Sequence, residues 1–173
     1  MVVQAKCTLK QSSVRLWNEK GEYLPPSILV LIPALNEEKG INHTIMELNQ
    51  VLGDPQFLVV DGKSKDDTVN VAKSLGVDVI YQKGKGKGDA IASALKYINV
   101  DVDYVVLTDA DYTYPAEFVP QMLTLLEENP RVGMVCGNRF NSHFNLKGMA
   151  DKFYFGNRIL AFTHNLLNGV ELH

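Results

Sequence analysis

The chain alternates between short strand-like runs and segments with helical spacing, and this alternation constrains its fold more than any other feature. The strand-like runs begin at Ile28, Phe57, Val77, Tyr104 and Val132. Between them, apolar residues recur three or four positions apart, as they do in amphipathic helices. Parallel neighbouring strands need such crossover segments, which are usually helices. The sequence therefore predicts an α/β fold: a Rossmann-like, mostly parallel sheet with helices on both faces.

Two carboxylates follow the strand-like run that begins at Tyr104. Asp109 and Asp111 are separated only by Ala110, and residues two apart in extended backbone project to the same side. Mg²⁺ and Mn²⁺ prefer oxygen ligands, commonly one or two carboxylates together with substrate phosphates. Ligands of open α/β sheets bind beyond the carboxyl ends of the strands. We therefore expect a metal site here; a solvated loop with two turn-forming aspartates is the alternative.

Three more polar segments are expected at the same edge of the sheet. Residues 33–37 follow the first strand-like run, and Asp61 and Gly62 follow the second. Residues 84–88 form a loop of glycines and lysines ahead of a predicted helix. Glycine lets an anion approach the backbone closely, and a helix N-terminus attracts phosphate. These segments predict a phosphate site, with a mobile surface turn as the alternative for the glycine loop.

The familiar phosphate-binding motifs are absent from the sequence. No Gly-x-x-x-x-Gly-Lys-Ser/Thr string occurs, and the first strand-like run ends in Pro-Ala-Leu-Asn-Glu rather than in Gly-x-Gly-x-x-Gly. These absences exclude the P-loop and dinucleotide-dehydrogenase classes. A nucleotidyltransferase would share a similar sheet, but its glycine-rich loop normally follows the first strand, where this chain has none.

Length, charge and cysteine content narrow the class further. The 173 residues suffice for a domain with a real core, and a net charge of −3 gives no overall field that would attract nucleic acid. Cys7 and Cys136 lack metal-ligand spacing, which favours two reduced thiols in a cytosolic protein. Lys6, Lys10 and Arg15 interrupt any signal-peptide core, and no run approaches the ~20 apolar residues that span a bilayer. We expect a cytoplasmic protein, with peripheral binding to the cytoplasmic membrane face left open.

Five segments, in order along the chain, resemble motifs of glycosyltransferase family two, which has the GT-A fold. They are residues 31–38, 59–64, 86–90, 109–111 and 137–140, with the sequences LIPALNEE, VVDGKS, GKGDA, DAD and GNRF. One such motif alone would be a weak signal, whereas five in the family's order are specific. Within the family, the strongest resemblance is to the polyprenyl-phosphate branch typified by dolichol-phosphate mannose synthase.

The resemblance implies a role for each matched residue. The nucleotide would be bound by Pro33, Ala34, Asn36, Glu37, Asp61, Lys87 and Asp109. Asp61 would contact the base, and Lys87 would lie near the sugar or the phosphates. Asp109 and Asp111 would hold Mg²⁺ or Mn²⁺ against the diphosphate. Arg139 would bind an acceptor phosphate, because its planar guanidinium group can donate two parallel hydrogen bonds to a phosphate. From the residues alone, Asp61 could instead form an Asx-type turn, and Arg139 a surface ion pair.

The implied reaction is a metal-dependent, inverting transfer of a sugar from a GDP- or UDP-sugar to a polyprenyl (dolichyl) phosphate. Its catalytic residues would be Asp109, Asp111 and Arg139. No nucleic-acid partner is expected. Two alternatives stay open: a family-two enzyme with a sugar hydroxyl as the acceptor, and a fragment that binds nucleotide sugars without catalysis.

The chain departs from the family pattern at one metal-site position and at its ends. Thr113 stands where the mannose synthase pattern often has a glutamine, so a third protein ligand to the metal is not expected. We expect residues 1–27 to form an N-terminal extension with a short hairpin, and residues 28–173 to form the GT-A domain. The family normally continues beyond the position of His173, so we expect this domain to lack its C-terminal part. The apolar predicted helix at residues 153–168 would pack against the sheet or face lipid.

Overall fold

The computed structural model describes residues 1–5, 25–98 and 102–137, and these form a six-stranded sheet with flanking helices. The elements in chain order are β1 (Val2–Ala5), β2 (Ile28–Ala34), α1 (Ile41–Leu52), β3 (Gln56–Asp61), α2 (Thr68–Ser74), β4 (Asp78–Tyr81), α3 (Lys87–Ala94), β5 (Tyr104–Leu107), a short 3₁₀ helix (Ala116–Phe118), α4 (Val119–Glu128) and β6 (Met134–Cys136). The helical and extended segments therefore alternate along the chain, as the sequence predicts.

The sheet is mostly parallel and has the strand order β4-β3-β2-β5-β1-β6. β2 lies in the middle of the parallel part, where Leu31 pairs with Leu58 of β3 and with Leu107 of β5. β4 continues the parallel pairing beyond β3, whereas β1 pairs antiparallel with both β5 and β6. The carboxyl ends of β2, β3, β4 and β5 consequently meet at one edge of the sheet. The predicted α/β architecture is confirmed.

Two hydrophobic layers cover the two faces of this sheet. The first layer includes Ile41 of α1 and Val119 of α4, and the second includes Ala90 of α3. Alternation along β5 sends Tyr104 and its even-numbered neighbours to the first layer and the odd-numbered residues to the second. The same alternation directs Asp109 toward the α3 side, which determines its partner in the site.

The first strand lies inside the predicted N-terminal extension, so the extension is not wholly separate from the sheet. Val3 is fully buried and pairs with Val106 on one side and with Val135 on the other. The four residues of β1 are too few to show a period, and their partners in β5 lie about a hundred positions away. The predicted hairpin in the extension falls on residues 6–24, outside the described residues, and the start of the GT-A domain at residue 28 stays a prediction.

Helix α1 begins later than the local sequence favours, and it ends at a glycine, as many helices do. Asn36 is the local residue best suited to an N-cap, but the helix begins at Ile41 with Gly40 as its N-cap. Asn36 instead has left-handed backbone, with φ of +57°. At the other end, Gly53 has φ of +68° and its N–H donates to the Asn49 carbonyl oxygen at 3.0 Å.

Within the described ranges, no helix is both long enough and apolar enough to cross a membrane. The predicted apolar helix at residues 153–168 lies outside those ranges.

Candidate active site

The candidate site lies at the carboxyl edge of the parallel strands, where β5 ends beside the beginning of α3. The Lys87 ammonium group donates to Oδ1 of Asp109, across 22 positions of sequence. About half of the Lys87 side chain (53%) is exposed, against 27% of Asp109, so solvent and solutes reach both groups. The structure thus brings together the predicted phosphate-binding lysine and the first predicted metal ligand.

Asp111, the second predicted ligand, is held in place by its own loop. Its Oδ1 accepts hydrogen bonds from the Thr113 backbone N–H at 3.1 Å and from the Thr113 hydroxyl at 2.7 Å. Thr113 therefore orients the Asp111 carboxylate through one oxygen, which leaves Oδ2 without a hydrogen bond from the described residues. The sequence signalled Thr113 only as a departure from the family pattern, whereas here it acts on a predicted ligand.

Glu37 adds a third negative charge to this part of the site. Burial raises the pKa of Glu37 above its ordinary 4.5, and the charges of Asp111, Asp66 and Asp109 raise it further. A cation placed among these carboxylates would relieve their mutual repulsion. The ligand atoms that Asp109 and Asp111 could offer a cation are carboxylate oxygens, which fit Mg²⁺ or Mn²⁺. In the part of the chain that the structure describes, no group of three or more Asp, Glu, His or Cys side chains is arranged to hold a metal by itself.

Hydrogen bonds join the loop after β2 to the loop after β3. The Asn36 N–H donates to the Ser64 hydroxyl at 2.9 Å, and the Lys65 N–H donates to the Asn36 side-chain oxygen at 2.8 Å. The Glu37 N–H donates to the Thr68 hydroxyl at 2.8 Å. Asn36 and Glu37, both predicted to bind the nucleotide, are therefore fixed by side chains that the sequence analysis did not assign to the site.

Asp61 forms the Asx-type turn that the sequence allowed as an alternative. Its side chain is buried, with 1% of the residue exposed. Oδ2 accepts from the N–H groups of Lys63 at 2.8 Å and Ser64 at 3.0 Å, and Oδ1 accepts from the Ser64 hydroxyl at 2.5 Å. Ser64 thereby links Asp61 to Asn36 of the neighbouring loop. Recognition of the base by Asp61 stays a prediction.

A narrow cavity of about 220 Å³ opens beside these loops. It is lined by Pro33, Ala34, Leu35, Gly62, Gln82, Gly86, Lys87 and Ala90. The predicted nucleotide-binding residues Pro33, Ala34 and Lys87 therefore share one cavity, whose walls are largely apolar. An apolar lining with a few polar groups is common in small-molecule sites, although this cavity is smaller than most of them.

Gln82 is a cavity residue that the sequence analysis missed. It is 7% exposed, its N–H donates to the Asp61 carbonyl oxygen at 3.1 Å, and its side-chain amide donates to the Gly84 carbonyl oxygen at 3.2 Å. The available signal was positional: Gln82 directly follows β4, at the same sheet edge as Asp61. A larger cavity of about 740 Å³ lies toward the opposite edge, and none of the predicted site residues lines it.

The glycine loop before α3 has a defined conformation. Gly86 is the N-cap of α3 with φ of +82°, where an L side chain would be strained. The Gly84 N–H donates to Oδ2 of Asp89 at 2.7 Å, which folds the loop back on the first turn of the helix. This geometry places Lys87 at the start of α3, within reach of Asp109.

Arg139, the predicted acceptor-phosphate residue, lies outside the described residues. The last described strand, β6, ends at Cys136. Contact of Arg139 with an acceptor therefore stays a prediction.

This sheet and its carboxylate edge define a GT-A glycosyltransferase domain, and the chain belongs to glycosyl transferase family 2, whose family model matches residues 29–170. The predicted family and fold are confirmed. Over 144 residues the chain is 33% identical to glycosyltransferase AglJ of Haloferax volcanii, with 81% of this chain and 46% of that protein covered. Over 153 residues it is 30% identical to a dolichyl-phosphate hexose transferase of the same organism, with 88% and 64% covered. The chain thus spans about half to two thirds of the length of these relatives.

A solved structure shows the same fold with ligands bound. Glucosyl-3-phosphoglycerate synthase from Mycobacterium tuberculosis, in complex with Mn²⁺, UDP and phosphoglyceric acid, aligns with a TM-score of 0.50 and 30% sequence identity. The alignment covers 58% of this chain and 39% of that chain.

Proposed function

We propose that this protein transfers a hexosyl group from a nucleoside-diphosphate sugar to a polyprenyl (dolichyl) phosphate, with Mg²⁺ or Mn²⁺ held by Asp109 and Asp111. The observation that carries the proposal is the convergence of Lys87 with Asp109 at the carboxyl edge of the sheet, beside the small apolar cavity. A lysine and two carboxylates at the mouth of a cavity suit a diphosphate with its cation. The mycobacterial relative was solved in complex with Mn²⁺ and UDP, which supports a divalent cation and a nucleoside diphosphate as the ligands of this site.

The donor would bind in two parts. Its base would enter the cavity walled by Pro33, Ala34 and Leu35, whose lining is largely apolar. Its diphosphate would lie near Lys87, whose ammonium group supplies a positive charge. The hydrogen bonds that the Asn36 and Glu37 N–H groups donate to the Ser64 and Thr68 hydroxyls would keep the chain next to the cavity rigid before the donor arrives.

The leaving group of the reaction is a nucleoside diphosphate, which gains negative charge as the glycosidic bond breaks. When bound, the divalent cation supplies Lewis-acid stabilisation of that charge. Asp109 and Asp111 would hold it, and Lys87 would add a second positive charge from the protein. An acceptor phosphate is already anionic and needs little help from a general base. The name of the dolichyl-phosphate hexose transferase from Haloferax volcanii supports this acceptor class.

A second candidate uses a hydroxyl acceptor. The chain is 30% identical over 121 residues to glucosyl-3-phosphoglycerate synthase of Petrotoga mobilis, and the mycobacterial synthase was solved with phosphoglyceric acid. A hydroxyl acceptor needs a general base, and the raised pKa of Glu37 brings that carboxyl closer to such a role. The choice between acceptors therefore requires a direct test.

The test offers both acceptors to the same protein. Radiolabelled GDP- and UDP-hexoses are incubated with Mn²⁺ and either dolichyl phosphate or 3-phosphoglycerate, and the products are partitioned between organic and aqueous phases. The proposal expects label in the organic phase only when lipid phosphate and metal are both present. Label in a water-soluble phosphoglycerate product would favour the second candidate. Tight donor binding without either product would favour the third possibility, a fragment that binds nucleotide sugars without catalysis. The cytoplasmic location predicted from the sequence stays a prediction.

A further inference from the structure

We infer that one face of helix α1 positions the metal-binding loop, with Gly40 and Thr44 as positioning residues for Asp111. The loop in question, residues 110–116, begins just after Asp109, carries Asp111 at its second position and ends at the first residue of the 3₁₀ helix. The inference rests on the proposed function, because Asp111 is a metal ligand only if that function holds. Gly40 and Thr44 would themselves touch neither the metal nor the donor.

Gly40 is in direct backbone contact with this loop. A Cβ atom added to Gly40 would lie 2.5 Å from the Ala110 carbonyl oxygen and 2.8 Å from both Cα and the carbonyl carbon of Asp111. All these atoms belong to the backbone, so no flexible side chain could move aside. Gly40 itself has ordinary helical backbone, with φ of −93°. Glycine is therefore required here because of the close approach of the loop, and not because of its own conformation.

Further contacts continue along the same face of α1. The Thr44 hydroxyl donates to the Ala110 carbonyl oxygen at 3.4 Å, and Glu47 accepts from the Ala116 N–H at 3.4 Å. Positions 40, 44 and 47 are spaced as neighbours on one side of a helix. Thr44 and Ala110 are both buried, so the contact is shielded from water. The helix and its N-cap residue thus contact both ends of the loop, at Ala110 and at Ala116.

The loop also has a backbone conformation that needs support. Tyr112 has φ of +60°, which is uncommon for a residue with a side chain and costs conformational energy. His43, the residue of α1 before Thr44, has its ring centroid 5.4 Å from that of Tyr112, with 43° between the two ring planes. Since the strained residue directly follows Asp111, the conformation that α1 supports also sets the direction of the Asp111 carboxylate.

The consequence is that metal affinity depends on α1. Ligand groups must be held to within about half an ångström for good geometry, and a shift near 1 Å can cost a large factor in activity. A side chain at position 40 would push the Ala110 carbonyl and the Asp111 backbone away from the helix. Asp111 would then meet the cation in a different position relative to Asp109.

The test separates metal-dependent from metal-independent binding. UDP and GDP are titrated calorimetrically in Mn²⁺ and in EDTA, and Mn²⁺ alone is followed by electron paramagnetic resonance. We expect Gly40→Ala to weaken Mn²⁺-dependent binding by about tenfold or more, and Thr44→Val by about threefold, the scale of one lost hydrogen bond. Thr44→Ser keeps the hydroxyl and should bind like wild type. Gly133→Ala is the matched control, because its Cβ would meet open space. Affinity in EDTA should not change in any variant.

The possible outcomes distinguish a failure of the proposed function from a failure of the inference about α1. If wild type shows no Mn²⁺-dependent binding of either nucleotide, the proposed function fails, and the inference fails with it. If wild type binds with Mn²⁺ while Gly40→Ala and Thr44→Val match it, the inference alone is wrong. Equal losses in Mn²⁺ and in EDTA would indicate general distortion and would also contradict it. Should Gly40→Ala fail to fold by circular dichroism, the Thr44→Val and Thr44→Ser pair still decides.

Discussion

The Lys87 ammonium group contacts the same carboxylate, Asp109, that a divalent cation would need. Lysine and metal therefore compete for Asp109 until a diphosphate provides the lysine with another partner. Lys87→Met should bind Mn²⁺ alone about two- to fivefold more tightly, the scale of a lost exposed ion pair. It should also bind UDP or GDP with Mn²⁺ about tenfold more weakly, since a charge-assisted hydrogen bond is lost.

The control for this variant is Lys85→Met, which removes one exposed positive charge from the same loop. Paramagnetic resonance measures the affinity for Mn²⁺, and calorimetry measures the affinity for the nucleotide. Identical behaviour of the two variants would show that the general charge of the loop matters and that the Asp109 contact does not.

Asp111 should contribute to donor binding through the metal and little to folding. Asp111→Asn keeps the shape of the side chain and one oxygen for Thr113, but it removes the charge. We expect nucleoside-diphosphate affinity to fall by about tenfold or more in saturating Mn²⁺, with a melting temperature no lower than that of wild type. Asp54→Asn is a suitable control, because Asp54 is exposed and asparagine tolerates its φ of +69°. Unchanged affinity in Asp111→Asn would remove Asp111 from the metal site.

Asp61 has a structural role, and a second role in base recognition can be measured against it. Asp61→Ala leaves the N–H groups of Lys63 and Ser64 without their acceptor and should cost about 1–3 kcal/mol of unfolding free energy. Ser64→Ala disturbs the same turn but keeps the carboxylate. If Asp61 contacts the base, Asp61→Ala should weaken nucleoside-diphosphate binding by several-fold more than Ser64→Ala does. Equal losses would mean that the turn accounts for the whole effect.

Because the pKa of Glu37 is raised in the folded protein, Glu37 should lower the stability of the fold as the pH increases. Its carboxyl is protonated more readily in the folded than in the unfolded protein, so its contribution to stability is present below pH 4.5 and is lost as the pH rises through the higher folded-state pKa. Glu37→Gln, which stays neutral, should therefore melt at a slightly higher temperature than wild type at pH 7, and the difference should disappear near pH 4. Glu127→Gln, at an exposed position of α4, is the control. A lower melting temperature of Glu37→Gln at pH 7 would contradict the repulsion among these carboxylates.

The sequence predicted those parts of the site that depend on local pattern. Asp61 ends one apolar strand and Asp109 lies just beyond another, and parallel pairing brings such strand ends to one edge whatever the details of the loops. The sequence did not predict the structural features that depend on contacts with residues far away in the chain. The preference of Asn36 for an N-cap lost to its hydrogen bonds with Ser64 and Lys65, and the need for glycine at position 40 arises from contacts seventy positions further along the chain. A local pattern carries no signal for such contacts.

In the proposed mechanism, a single divalent cation joins the carboxylates of Asp109 and Asp111 to the diphosphate of the donor. Electron–nuclear double resonance on Mn²⁺ tests it most directly, with protein carrying ¹³C in its aspartate carboxylates and with UDP or GDP bound. The account predicts that the Mn²⁺ signal shows couplings to both ¹³C and ³¹P in wild type, and that the ¹³C coupling is lost in the Asp109→Asn, Asp111→Asn double variant. A wild-type complex with ³¹P coupling but no ¹³C coupling would show that the metal reaches the protein only through the nucleotide, and would contradict the account.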